Sequence, residues 1–414
     1  MGDCNQPLPR MHHETENASI GMIAHDFTGA LDSLVAFVEK PGDTFVLLQS
    51  GDLPEGVMNV AVVAPTQTLS PEEAYEGVRR AARRLPGRRL FKRVGSTLRG
   101  NIGAEIRAVI DETGTRALVC PALPREGRTV VDGIGLLDSV PLHLTEYGND
   151  PTTPCRESSL LSILRGGGVD ASLVPLRVVR RGEEAVLRQC ISTSSEAVVV
   201  DAETDEDMRA IARVLAALGT GWCACASSGL SPHLAEALGR RRGARHILPP
   251  CSASKALAVI GSMSMTSAAQ VARVRELADS AVVRMEALEL CANGPEVALW
   301  EEKARAELDR GYFAVLTTSL SAVVPDLRNE VAPTLGALAA RIIRGGVTVA
   351  VLSGGLTALH TCLALGIPSV QVLGEVEPGV VCSRGTDSDG LDRTLVSKAG
   401  GFGDAGALAR LLGV

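Results

Sequence analysis

Short apolar runs rich in β-branched residues alternate with helical patterns along 414 residues. That alternation predicts an α/β protein whose sheets are mainly parallel, since parallel strands need crossover helices between them. The length suits more than one domain. The fold class expected is two Rossmann-like domains with a cleft between them. Only 3% of residues are aromatic while 45% are hydrophobic, so Val, Leu, Ile and Ala must fill the cores.

Taken in order, residues 1–18 are polar, with His12, His13 and Glu14, and are read as a flexible tail. Strands are predicted at 20–24, 44–48, 60–64, 117–120, 197–201 and 221–226. Further strands are predicted at 257–261, 313–318, 347–352 and 369–373. Runs that are apolar throughout suit strands covered on both faces. Ser70-Pro71-Glu72-Glu73 reads as a capping box with Pro in the first turn, and Ala74, Val78 and Ala81 follow at helical spacing. Thr204-Asp205-Glu206-Asp207 opens a second helix with acids where the dipole favours them. Thr266 is assigned as the cap of a third, reaching residue 277. The Gly-, Arg- and Pro-rich stretch 239–254 marks a domain boundary near 245, giving domains of 19–245 and 246–414.

Composition excludes several classes. A net charge of -7 opposes general nucleic-acid binding, which needs a basic stripe against phosphates. The arginine clusters at 79–84 and 240–242 are read as solvated helix faces. Ten cysteines include no Cys-x-x-Cys pair, and Cys223 and Cys225 are read as neighbours on one face of a core strand. The seven histidines lack ligand spacing, so no metal ligand is assigned. No apolar run reaches the ~18 residues of a membrane span, and no signal-peptide core is seen. The chain is expected to be cytoplasmic, without membrane or nucleic-acid partners.

Chemistry-bearing residues fall at predicted strand ends, where open α/β sheets bind ligands. After the first strand comes His25-Asp26-Phe27-Thr28-Gly29-Ala30-Leu31-Asp32. Asp26, Thr28 and Asp32 are suited to a polyol or a metal-bridged phosphate; plain helix capping is the alternative. Next comes Lys92-Arg93-Val94-Gly95-Ser96-Thr97-Leu98-Arg99-Gly100-Asn101-Ile102-Gly103-Ala104-Glu105. Here Arg99 can grip a carboxylate or phosphate with two parallel bonds, and Ser96, Thr97 and Asn101 lie beside it. The loop 121–129 adds Arg125 and Arg128, and the loop 150–158 is rich in polar and turn residues. In the second half, Gly261-Ser262-Met263-Ser264, Ser353-Gly354-Gly355-Leu356-Thr357 and Lys398-Ala399-Gly400-Gly401-Phe402-Gly403 are three glycine turns. Their backbone N–H groups and hydroxyls suit phosphate oxygens. The combination points to a nucleotide site, although neither a Walker A motif nor Gly-x-Gly-x-x-Gly is present.

Taken together and in this order, the segments resemble the four-carbon acid sugar kinase family over residues 19–414. The run from Ser96 to Glu105 is its most specific part. The resemblance implies an N-terminal domain that binds a small sugar acid and a C-terminal domain that binds ATP. The γ-phosphate would pass to a substrate hydroxyl across the cleft, with Mg2+ shielding charge. It implies that Asp26, Thr28, Ser96 and Arg99 hold the acid, and that Ser262, Ser264, Gly354, Gly355, Gly400 and Gly401 hold ATP, with Ser353 and Thr357 beside them. A homodimer is implied by the resemblance alone.

This chain departs from the family pattern at acidic positions. His25 stands where a second acid usually precedes the Asp-Phe-Thr-Gly turn, Gly95 where an Asp precedes Ser-Thr-Leu-Arg-Gly, and Leu356 where an acid follows Gly-Gly. The run Val63-Ala64-Pro65-Thr66-Gln67 replaces one that usually carries acids and an Arg. His25 either takes over proton transfer, near neutral pH, or is a polar loop residue. The expected function is ATP-dependent phosphorylation of a small sugar acid or hydroxy acid, with His25, Asp26 and Arg99 as catalytic candidates. The alternatives are a degenerate homologue that only binds, or a family member turned to another transfer reaction in specialised metabolism.

Overall fold

The structure is a computed structural model that describes residues 19–48, 55–150, 153–240, 255–311, 313–318, 324–327 and 329–414. The expected tail at 1–18 and the boundary near 245 lie outside the described residues. The N-terminal half holds β1 (Ile20–Ala24), β2 (Thr44–Leu47), β3 (Asn59–Val63), β4 (Arg89–Arg93), β5 (Arg116–Cys120), β6 (Arg128–Val131), β7 (Ile134–Leu137), β8 (Val140–Pro141), β9 (Ala171–Val174), β10 (Ala197–Val200) and β11 (Trp222–Ala226). The C-terminal half holds β12 (Ala256–Ile260), β13 (Val282–Arg284), β14 (Phe313–Thr317), β15 (Val349–Ser353), β16 (Ser369–Glu377), β17 (Val380–Thr386) and β18 (Asp392–Lys398).

The strands form a fifteen-stranded sheet in the order β13-β14-β12-β15-β18-β17-β16-β2-β3-β1-β4-β11-β5-β10-β9. From β2 to β9 every pairing is parallel. So are those from β13 to β18. Only β18–β17, β17–β16 and β16–β2 are antiparallel, and the last of these joins the two halves edge to edge. A small antiparallel sheet, β6-β7-β8, stands apart. The architecture is thus α/β with two mainly parallel domains.

Strand order fixes where ligands can enter. From β1 the chain runs outward one way to β3 and β2, then returns to place β4 on the other flank. A switch point therefore lies between β1 and β4. In the C-terminal half the same reversal occurs between β12 and β15. Loops diverge from the sheet at both places and leave a crevice at the carboxyl ends of the strands.

Local signals act as the sequence predicts at most helix starts. Ser70 accepts a bond from the Glu73 N–H, Glu73 answers with its carboxylate, and the helix Pro71–Ala82 follows. Thr204 and Asp207 make the same reciprocal pair before the helix Asp205–Leu218. The cap of the helix Met265–Ala278 is Ser264, not Thr266, because its Oγ accepts from the Ser267 N–H. β4 was not predicted: it carries Arg89, Lys92 and Arg93, and hides Lys92 against Glu105 at 2.7 Å. Cys223 and Cys225 lie buried on β11 with sulfurs 3.9 Å apart, as core neighbours should. Among the described residues no helix is long and apolar enough to cross a membrane.

Candidate functional site

The β1 strand ends at Ala24, and Asp26 then caps the helix Phe27–Leu34. Asp26 Oδ1 accepts bonds from the Gly29 N–H at 2.6 Å and the Thr28 hydroxyl at 3.0 Å. Its Oδ2 lies 3.0 Å from Arg93 Nη1 and 3.1 Å from His25 Nε2. Arg93 Nη1 is also 2.9 Å from His25 Nε2, so His25, Asp26 and Arg93 form one closed cluster. Burial alone would raise the Asp26 carboxyl. The Arg93 guanidinium, His25 and the Gly29 N–H outweigh it and hold the group well below its usual range. His25 is buried with Nε2 committed to this cluster.

The β4 strand supplies the second wall. Ser96 is half-buried at the turn that follows it, and Thr97 Oγ1 accepts from Arg99 Nε at 3.0 Å. Arg99 Nη1 donates to Asp150. The guanidinium carbons of Arg99 and Arg128 each lie 5.9 Å from the Tyr147 ring centre, and Arg128 Nη1 donates to the Tyr147 hydroxyl at 3.0 Å. Arg128 is 8% exposed and its Nε is buried without a partner. Two planar cations share one ring and each faces a carboxylate of the chain, Asp150 for Arg99 and Glu126 for Arg128 at 3.5 Å, which is the chemistry that an acid ligand could exploit. The remaining candidates serve the frame. Asp32 faces Arg125 at 3.6 Å, and the Asn101 amide donates to the Thr66 and Leu69 carbonyls at 2.9 Å each. A cleft of about 390 Å³ opens beside them, between Gln67, Leu98, Gly100 and Arg156.

The C-terminal half gathers its three glycine turns. Ser264 Oγ and Ser267 Oγ both donate to the Gly400 carbonyl, at 2.7 and 3.0 Å. Ser262 Oγ lies 3.2 Å from Ser264 Oγ. A Cβ on Gly400 would overlap Ser262 Oγ, so only glycine lets these turns close on one another. Gly354 has φ +104 and opens the helix Gly355–Ala364, a conformation that L side chains rarely adopt. Thr357 is buried against Gly261, Ser353 Oγ faces Ser267 Oγ at 3.4 Å, and Gly401 borders open space. Free N–H groups at a helix start and a tight glycine cradle fit an anionic phosphate chain.

The two halves of the site touch. A Cβ placed on Gly355 would lie 3.3 Å from both Asp26 Oδ1 and Thr28 Oγ1. The phosphate-type turn therefore abuts the Asp26 turn directly. Leu356, next in line, is 43% exposed. Among the described residues no group of three or more His, Cys, Asp or Glu side chains could hold a metal ion. Sequence reasoning missed Tyr147, and gave no role to Arg93, Asp150 or Lys398 within the stretches that contain them. Arg93 and Lys398 end strands at the heads of two of those stretches, which was a usable signal; Tyr147 and Asp150 reach Arg99 only through tertiary folding.

Comparison with known proteins matches two domains along the chain. The model of a sugar-binding N-terminal domain matches residues 20–234, and that of a nucleotide-binding C-terminal domain matches residues 257–408. A D-threonate kinase of Cupriavidus necator is 31% identical over 94% of this chain and 95% of its own length. A D-erythronate kinase of Heliobacterium modesticaldum is 28% identical over 94% and 95%. A solved Haemophilus influenzae protein shares the fold with a TM-score of 0.70 at 23% identity, covering 95% of this chain and 99% of its own. With both domains matched in order and the two half-sites abutting, this chain belongs to the four-carbon acid sugar kinase family and is a kinase-class phosphotransferase.

Proposed function

We propose that the protein transfers the γ-phosphoryl group of ATP to a hydroxyl of a small sugar acid or hydroxy acid. The observation that carries this is the contact between Gly355 and the Asp26–Thr28 turn, 3.3 Å for an added Cβ. That closeness supports a phosphate cradle facing a polyol-type site. Arg99 and Arg128, flanking Tyr147, would hold the carboxylate, which competes with Asp150 for Arg99. Thr28 and Ser96 would bond the sugar hydroxyls. Asp26, ionised and held on both oxygens, would orient the accepting hydroxyl. His25 and Arg93 fix Asp26 rather than act on substrate, since Nε2 and Nη1 are already engaged.

Such transfer depends on positioning and charge stabilisation more than on a strong base. That requirement suits a carboxylate whose affinity for protons is low. The glycine turns would cradle the phosphates through backbone N–H groups. A Mg2+ brought with the nucleotide would shield the charge of its phosphates, while Asp26, engaged on both oxygens, would stay with the accepting hydroxyl. An ADP-release screen over C3 to C6 hydroxy acids with MgATP tests the reading. Release with one acid is expected; no release with any of them, in protein shown to be folded, overturns it.

A further inference from the structure

Lys92 and Lys398 are fully buried lysines in different surroundings. Lys92 Nζ has the Glu105 carboxylate at 2.7 Å. Among the described residues, Lys398 Nζ has only neutral acceptors, the Ser353 hydroxyl at 3.1 Å and the Ala399 carbonyl at 3.2 Å. Another buried cation, Arg393, is likewise paired, with Asp387 at 2.7 Å. A buried charge without a counter-charge is costly; Arg89 is also held only by carbonyls, but at the start of β4, whereas Lys398 lies at a strand end beside the glycine turns.

Its place identifies that counter-charge. Lys398 ends β18, and its carbonyl accepts the Gly354 N–H at 3.2 Å. Ser353, which its ammonium contacts, opens the turn into the helix Gly355–Ala364, and Ser353 Oγ meets Ser267 Oγ under the Gly400 turn. Lys398 thus lies beneath the meeting point of all three glycine turns. We propose that Lys398 supplies the buried positive charge that binds the phosphate groups of a nucleoside di- or triphosphate. This rests on the nucleotide reading above and adds the residue that provides the counter-charge.

Among the described residues, nothing packed against β18 supplies Lys398 with an anion. The strand β15 carries no titratable side chain. On β17, Cys382 and Arg384 pair with Val396 and Thr394, away from Lys398. On the helix Phe27–Leu34, Asp32 faces Arg125, and the capping Asp26 is held by Arg93. His360, on the helix Gly355–Ala364, has its own basicity lowered by burial and can supply no negative charge. Burial lowers the Lys398 ammonium to about 8, so part of the population is neutral at mildly alkaline pH. A bound phosphate favours the charged form and raises that value. Nucleotide binding must then draw in a proton, and affinity must fall as pH rises through about 8.

The test is calorimetric titration of the full chain with MgADP at pH 8.5, in two buffers of different ionisation heat. Uptake of roughly half to three quarters of a proton is expected. Lys398→Met should abolish the uptake and weaken MgADP about 10- to 100-fold at neutral pH, with circular dichroism reporting its fold. If that variant does not fold, the wild-type proton count decides alone. MgADP binding without proton uptake, or uptake that persists in folded Lys398→Met, overturns the proposal and leaves the nucleotide reading standing. Failure of the wild-type protein to bind MgADP at any pH overturns both.

Discussion

Asp26 has one oxygen on the Gly29 N–H and Thr28 hydroxyl and the other beside Arg93 and His25. A carboxylate so held keeps its charge and its direction, and both matter where it abuts the Gly355 turn. Asp26→Asn removes the charge with little change of shape. It should lower kcat by about 10²-fold or more while leaving nucleotide affinity nearly intact; steady-state kinetics with a melting curve separates this from unfolding. Arg99 makes a different prediction. Its fork engages Asp150 and Thr97 and lies over Tyr147, a geometry that an ammonium cannot copy. Arg99→Lys should raise KM for the acid by about tenfold or more, through loss of charge-assisted bonds, with KM for nucleotide unchanged. An equal rise in both values would mean that Arg99 shapes the domain contact instead.

The turns after β1 and β4 show how departures from a family pattern can be linked. A Cβ on Gly95 would lie 3.5 Å from the His25 ring and 3.4 Å from Arg93 Nη1, ordinary contact distances, so an aspartate there would stand directly beside the imidazole. The two positions are neighbours in space, so a change at one is expected to act on the other. Gly95→Asp alone should cost activity and stability, and His25→Asp in the same chain should recover part of it. A coupling of at least ~0.5 kcal/mol is expected in a double-mutant cycle read by melting or kcat/KM; strict additivity would show that the positions are independent. Neither position looks coupled in sequence, because 70 residues of chain separate them and only the β1–β4 pairing brings them together. The same limit hid β4 itself. Lys92 and Arg93 look like surface residues until Glu105 and Asp26 are folded onto them. The capped helices at Ser70 and Thr204 were legible because all their partners lie within three residues. The glycine turns were legible as a set, and their convergence was set by the order of β12, β15 and β18.

At the scale of the molecule, the two domains are tied by more than a linker. The antiparallel β2–β16 pairing sets Leu47, Val46 and Phe45 opposite Ser369, Val370 and Gln371, and the Leu48 N–H donates to the Pro368 carbonyl at 2.9 Å. One apolar cluster runs through this seam, from Ile20 and Val46 on one side to Val370 and Leu395 on the other. The contact between Gly355 and Asp26 lies in the same crossing region, where the helix Phe27–Leu34 packs on the helix Gly355–Ala364. A seam built from core residues couples the folding of both halves, because neither can open it without exposing apolar surface. Scanning calorimetry of the wild-type chain should therefore give a single unfolding transition. Val370 has no exposure, and Val370→Asp would bury a carboxylate with no partner in the seam, a change worth several kcal/mol. The variant should show two transitions, and the site should fail with the seam: phosphoryl transfer falls while each domain keeps its own secondary structure. A wild-type chain that already melts in two steps would mean that the halves are held together only locally, and that the abutting turns owe their alignment to bound substrates rather than to the sheet.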